Sequence, residues 1–224
     1  MFCAMFLVFE GLDGSGKSTL MKMLHQKLML MLIEVVITRE PGGTDLGDQL
    51  RELILKKNEN IMPPCARAEL LMYQASRAQH VDLIIEPALR QNKWVLCDRF
   101  TASSVAFQGG GRQISLKQVQ WLNDFATNEL KPDLTILLDL SVADSKLRRL
   151  NRASQTGEVD DRIESEKDEF HERVRNGFIV QAQAEANKWL VLDASESPEL
   201  LFLKLIKEIE NRHGFKNHLP KDNL

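Results

Sequence analysis

The chain has 224 residues, 43% hydrophobic and 27% charged, with a formal net charge of −3. This suits one globular domain with a sizeable core and argues against a generic nucleic-acid binder, whose contact face usually makes the domain basic. Three scattered cysteines, Cys3, Cys65 and Cys97, form no C-x-x-C pair; they suggest neither a disulfide framework nor a zinc site and fit a reducing, cytoplasmic setting.

The apolar start MFCAMFLVF lacks a basic leading region and a cleavage site, so it reads as a buried strand and not as a signal peptide or membrane span. Strand-like runs follow at intervals: Met5–Phe9, Glu34–Thr38, Trp94–Cys97, Leu134–Asp139 and Trp189–Leu192. They are short, rich in Val, Ile, Leu and Phe, and do not alternate with polar residues, as expected of parallel strands covered on both faces. Between them lie helical patterns. Leu20, Leu24 and Leu28 build one apolar stripe, although LMLMLIEVV offers no glycine to end that helix. The stretch from Ala68 to Arg90 reads as one long helix kinked at Pro87. Alternation of this kind predicts an α/β fold: an open parallel five-stranded sheet with helices on both faces and ligands at the carboxyl ends of the strands.

Gly11-Leu-Asp-Gly-Ser-Gly16-Lys17-Ser18 fits the phosphate-loop pattern G-x-x-x-x-G-K-[ST], and it sits between the first strand and the first helix as that mechanism requires. Glycines let successive backbone N–H groups face a phosphate chain, and the helix N-terminus adds positive potential. Lys17 can reach the β and γ phosphates, and Ser18 can ligate Mg²⁺. Asp13 is unexpected there, since it repels phosphate. A helix-start carboxylate is the plain alternative, but a serine would serve that purpose without the repulsion.

The remaining motifs narrow the class. Asn92-Lys93 continues into Trp94-Val95, so the guanine-reading Asn-Lys-x-Asp element of a GTPase is missing. The third strand ends in Asp98-Arg99 and not in a pair of carboxylates: Asp98 can hold Mg²⁺ and Arg99 can grip an anionic acceptor. Thr38-Arg39-Glu40-Pro41-Gly42-Gly43-Thr44 and Gln108-Gly109-Gly110-Gly111-Arg112 read on their own as a turn and a flexible loop. Tyr73 and Arg77 share a helix face, suited either to packing with a surface charge or to stacking on a base and bonding its carbonyl. The five histidines, His25, His80, His171, His213 and His218, lie in no motif and read as surface or core residues.

In their order and spacing, FEGLDGSGKST, TREPGGT, LLMYQASRAQH, DRF-x-x-SS-x-AFQGGGR, PDLTILLDL and DRIE resemble the thymidylate kinase family over nearly the whole chain. The resemblance implies a phosphate-loop nucleoside monophosphate kinase at residues 1–213 and a polar tail at 214–224. It also implies transfer of the γ-phosphoryl of ATP to dTMP with Mg²⁺, no membrane or nucleic-acid partner, and homodimerisation. ATP would be held by Gly11, Gly14, Ser15, Gly16, Lys17, Ser18 and Thr19, with Arg148 near adenine. Arg39 and Arg99 would grip the dTMP phosphate. Tyr73 would stack on thymine, and Arg77 and Ser104 would bond it. Phe107 would crowd the sugar, with Gln108 sealing the pocket. Asp13 would accept from the 3′-hydroxyl and help orient an arginine. Because Gly14 stands where some relatives carry a loop arginine, the resemblance assigns that charge to a mobile lid near residues 148–162. Arg152 would supply it, with Arg162 a further phosphate contact.

Overall fold

A computed structural model of the chain describes residues 3–57, 62–157 and 159–213, so the tail 214–224 lies outside the described residues. Five parallel strands, β1 (Phe6–Glu10), β2 (Val35–Arg39), β3 (Trp94–Asp98), β4 (Leu134–Asp139) and β5 (Trp189–Asp193), form one open sheet in the order β2-β3-β1-β4-β5. Each expected strand is present within a residue at either end. The helices are α1 (Lys17–Leu30), α2 (Asp45–Leu55), α3 (Ala66–His80), α4 (Glu86–Arg90), α5 (Thr101–Ser104), α6 (Leu116–Thr127), α7 (Val142–Thr156), α8 (Asp168–Ala184) and α9 (Pro198–His213).

The lack of alternation along β1 has a direct cause. Leu7 and Phe9 pack with Leu20, Leu24 and Leu28 of α1 and Leu205 of α9 on one face. Phe6 and Val8 pack with Val81, Ile85 and Ala88 on the other. Both faces are therefore dry, as a doubly covered parallel strand requires. A third apolar group centres on Phe107, Leu137, Phe170, Val174 and Phe178 beneath α8. With β1 in the middle and connections leaving it toward both edges, the topological switch point falls at its carboxyl end, where a ligand crevice forms.

Two helix boundaries depart from expectation for local reasons. The helix α1 ends without glycine: Leu32 takes the left-handed conformation at φ 59°, and the N–H of Ile33 returns to the Leu28 carbonyl. In place of a simple kink at Pro87, α3 and α4 are joined by a widened turn, Val81–Ile85, in which the N–H of Glu86 reaches the Val81 carbonyl. Proline lacks an N–H and crowds the preceding turn, and widening that turn accommodates both defects.

The Gln108–Arg112 stretch is a correction to the flexible-loop reading. Val105–Gly111 is a wide helical turn continuing α5, and its Ala106, Phe107, Gln108, Gly109 and Gly111 are buried against α8. A Cβ on Gly111 would lie 2.5 Å from the Phe170 ring, and one on Gly110 would lie 3.0 Å from the Arg173 carbonyl oxygen. The glycines are there to let two helices touch, not to confer mobility.

Leu24 is fully buried in the cluster between α1 and the sheet. Leu24→Ala is expected to lower unfolding stability by about 3 kcal/mol in urea denaturation, the usual cost of the lost transfer energy plus a cavity.

Candidate active site

A cleft of about 510 Å³, open to solvent, lies at the carboxyl ends of β1, β2 and β3. It is lined by Asp13, Tyr73, Arg77, Arg99, Ser104, Phe107 and Gln108, so seven residues singled out in the sequence from three separate segments meet there.

The phosphate loop borders this cleft. Lys17 starts α1 and is buried; its Nζ donates to the carbonyls of Gly11 at 3.3 Å and Leu12 at 3.2 Å. Asp98 Oδ1 is 3.9 Å and Asp13 Oδ1 4.0 Å from the same Nζ. Burial, with Arg99 nearby, draws the Lys17 pKa below its ordinary value against the pull of Asp98, Asp13 and Glu10. Ser15 is buried with its Oγ unpartnered among the described residues, whereas Ser18 and Thr19 are exposed at the loop mouth.

Asp13 turns from the loop toward the cleft and accepts from Arg99 Nη2 at 2.8 Å. Burial alone would raise its pKa; the charges of Arg99, Lys17 and Arg149 outweigh that and hold it well below the carboxylate range. Arg99 in turn packs over the Phe107 ring at 5.0 Å and donates to Ser103 Oγ at 3.3 Å. Its backbone is left-handed at φ 72°, a costly conformation for arginine. Glu10 stabilises it. This fully buried carboxylate accepts from the N–H groups of Phe100 and Ser103 at 2.9 and 3.1 Å and from Ser103 Oγ at 2.6 Å. Burial pushes its pKa up to about 7 despite Arg99 nearby.

Arg77 is embedded. Its Nε donates to Glu40 Oε2 at 2.7 Å; its Nη1 reaches Gln74, Ser104 and Asn123; its Nη2 donates to the Phe100 carbonyl at 3.0 Å. Glu40 also meets His80 Nδ1 at 3.1 Å, and His80 Nε2 meets Thr38 Oγ1 at 2.6 Å. The TREPGGT segment, whose Glu40–Pro41 bond is cis, is thus bolted to α3 by a buried polar chain. Arg77 frames the pocket as well as lining it, and His80 is a core residue.

Arg39 does not line the cleft. Its side chain is 58% exposed and lies 3.7 Å from Asp48. Arg51, on α2 and donating to the Pro41 carbonyl at 3.1 Å, lines the cleft in its place. Asp161 and Ile163 of the DRIE region line it too. The sequence offered a weak signal for Glu10, an acid ending an apolar strand, and none for Arg51, which reads as one more charge on an amphipathic helix.

The helix α7 covers the loop at Gly14, where a Cβ would lie 3.2 Å from the Arg148 Cβ. The Arg148 guanidinium donates to the carbonyls of Gly14 at 3.3 Å and Ala194 at 2.8 Å. Arg149 is buried, bonded to Asp160 Oδ2 at 2.5 Å and the Glu164 carbonyl at 2.8 Å. Arg152 is 43% exposed and pairs with Glu164 Oε1 at 2.9 Å. Arg162 points into the protein, donating to the Ile54 carbonyl at 2.7 Å and to Glu69 Oε2 at 2.7 Å, rather than toward the phosphate loop.

For Mg²⁺ the donor chemistry fits. Asp98 Oδ1 is buried at a strand end with no hydrogen-bond partner among the described residues, and Ser18 is exposed in the first turn of α1. Among the described residues no group of three His, Cys, Asp or Glu could hold a metal unaided, but Mg²⁺ carried by nucleotide phosphates needs only one or two protein oxygens.

A family model described as thymidylate kinase matches residues 9–204. The chain belongs to the thymidylate kinase family. It is 56% identical over 213 residues, 95% of its own length and 99% of the relative's, to a thymidylate kinase of Bdellovibrio bacteriovorus. It is 43% identical over 205 residues, 92% of each chain, to one of Pelotomaculum thermopropionicum. The crystal structure of thymidylate kinase from Ehrlichia chaffeensis superposes with a TM-score of 0.72 at 32% identity, covering 92% of this chain and 99% of that one. Membership makes the chain a nucleoside monophosphate kinase of the phosphate-loop fold. Among the described residues no helix is long and apolar enough to cross a membrane.

The buried Arg77–Glu40 pair is a stability element as well as a wall of the site. Removing one partner leaves an uncompensated buried charge. Arg77→Ala is therefore expected to reduce unfolding stability by about 3 kcal/mol, read from urea melts alongside any change in nucleotide affinity.

Proposed function

We propose that the chain transfers the γ-phosphoryl of Mg-ATP to dTMP, giving dTDP and ADP. The observation that carries this reading is the position of Asp13, which leaves the phosphate loop to meet Arg99 inside the neighbouring cleft. One loop thereby serves donor and acceptor together. The loop backbone, Lys17, Ser18 and Thr19 hold the ATP phosphates, and Arg148 flanks adenine.

In the cleft, Arg99 and Arg51 hold the dTMP phosphate, and Asp13 accepts from the 3′-hydroxyl. Tyr73 stacks on thymine, Arg77, Ser104 and Gln108 face its polar edge, and Phe107 fills the space beside the sugar. Arg39 keeps to the rim with Asp48. The acceptor is a phosphate monoester with a second pKa of about 6, already dianionic at neutral pH, so no general base is required. The obstacle is repulsion between donor and acceptor. Lys17 and Arg99 supply positive charge, and Ser18 and Asp98 would hold Mg²⁺, which would add more, so catalysis is alignment and charge neutralisation.

The segment 148–162 acts as the lid. Arg149 is buried and doubly bonded, which suits a strut. Arg152 is half-exposed at the end of α7 and pairs with Glu164. Arg152 exchanges that partner for the transferring phosphoryl on closure. Free cysteines support a cytoplasmic setting. Homodimerisation is supported by the exposed Trp121–Phe125 stack on α6 and exposed Leu71 on α3.

The test is a coupled Mg-ATP assay across nucleoside monophosphates, with wild type beside Arg152→Ala. Wild type is expected to turn over dTMP well ahead of the other substrates. Arg152→Ala is expected to lose about 10³ in kcat with KM for dTMP little changed. ATP hydrolysis indifferent to dTMP would contradict the transfer reading, and near-normal turnover by the variant would remove Arg152 from its role.

A further inference from the structure

Glu69 lies on α3 one turn before Tyr73 and is fully buried. Its carboxylate receives four donors. Gln108 Nε2 and Arg112 Nε reach Oε1 at 3.0 and 3.2 Å; Arg112 Nη2 and Arg162 Nη2 reach Oε2 at 3.1 and 2.7 Å. A carboxylate offers about four acceptor sites, so this one is saturated. Burial alone would push the Glu69 carboxyl up, but the bonds from Arg112, Gln108 and Arg162 outweigh it and hold the pKa below the ordinary value. The group is therefore ionised at neutral pH and only accepts.

That fixes the polarity of its amide neighbour. Gln108 is buried, lines the cleft four residues after Ser104, and must turn its NH₂ to Glu69. Its carbonyl oxygen accepts no hydrogen bond from the described residues. The only use left for that oxygen is toward the cleft.

We propose that Glu69 is a positioning residue for base recognition: by capturing the NH₂ of Gln108 it makes the cleft present a fixed acceptor to a pyrimidine that carries a ring N–H. This rests on the reading of dTMP as acceptor and extends it to the class of base selected. A thymine or uracil ring has an imide N–H to donate. A cytosine ring has a bare nitrogen at the same place and would meet oxygen with a lone pair. An acceptor that cannot rotate excludes cytosine; one free to flip does not.

Glu69→Gln tests it. The new amide satisfies most donors with its oxygen toward Arg162 Nη2 and Arg112 Nη2; its NH₂ then faces Gln108, at the cost of the Arg112 Nε bond, and Gln108 turns its own NH₂ to the cleft. The ratio of kcat/KM for dTMP to that for dCMP is expected to fall at least about tenfold, with dCMP use rising in absolute terms. A merely structural role would lower both substrates together, and an unchanged ratio would overturn the proposal. Arg112→Gln, which loosens the same cluster without touching the Glu69–Gln108 bond, is expected to lower the melting temperature and keep the ratio. A fall in the ratio as large as that of Glu69→Gln would also overturn the proposal. Should Glu69→Gln fail to fold, wild type carries the test: methylating the ring nitrogen of dTMP is expected to weaken binding at least about tenfold, and equal affinity would refute the inference. If wild type fails to phosphorylate dTMP at all, the underlying functional reading falls and not this step alone.

Discussion

Asp13 and Arg99 meet at 2.8 Å where the carboxyl ends of β1 and β3 converge, and most of the site is arranged around that contact. The carboxylate belongs to the phosphate loop and the guanidinium lines the neighbouring cleft. Their pairing therefore ties the loop to the cleft. Each raises the cost of removing the other, because both are largely shielded from water and either would be left as an unpaired charge. Lys17 sits 4.0 Å from Asp13, and Asp98 sits 3.9 Å from Lys17, so cations and anions alternate from the phosphate loop into the cleft. An environment with this pattern can accept additional phosphate charge on its cationic members while its carboxylates keep them aimed.

Two buried acids outside the reacting zone maintain the geometry. Glu10 satisfies the backbone of the turn that forces Arg99 into a left-handed conformation. Glu40 locks the TREPGGT segment to Arg77 on α3. The sheet supplies rigid strand ends, and these carboxylates turn that rigidity into side-chain positions. A third acid, Glu69, extends the pattern to Gln108 in the cleft wall and fastens the segment after α7 through Arg162. Buried acids, each ringed by donors, are thus the recurring device of the site.

The fold was legible because its signals are local and redundant. Unbroken apolar runs marked all five strands, and a glycine-rich loop between strand and helix placed the ligand end of the sheet. The phosphate loop and Asp98-Arg99 were legible for the same reason: each is a short contiguous string at a strand terminus. Arg51 and Glu69 were not, and Glu10 only weakly, since a single charged residue on a helix or strand says little of which cavity it will face until tertiary packing is known. Gly109–Gly111 were misread because glycine serves both mobility and close approach, and only the neighbour, Phe170 of α8, decides which. Arg39 and Arg51 show the limit most plainly. One follows a recognisable motif and ends at the rim beside Asp48, while the other, in an ordinary amphipathic helix, enters the cleft.

The interdependence of Asp13 and Arg99 is the central claim, and a double-variant cycle measures it most directly. kcat/KM for dTMP would be determined for wild type, Asp13→Asn, Arg99→Lys and the combined variant, at saturating Mg-ATP. If the pair acts as one unit, the combined variant should be within about threefold of the worse single variant. Losses that multiply would show instead that the two residues act independently, and that no single contact joins the phosphate loop to the acceptor cleft.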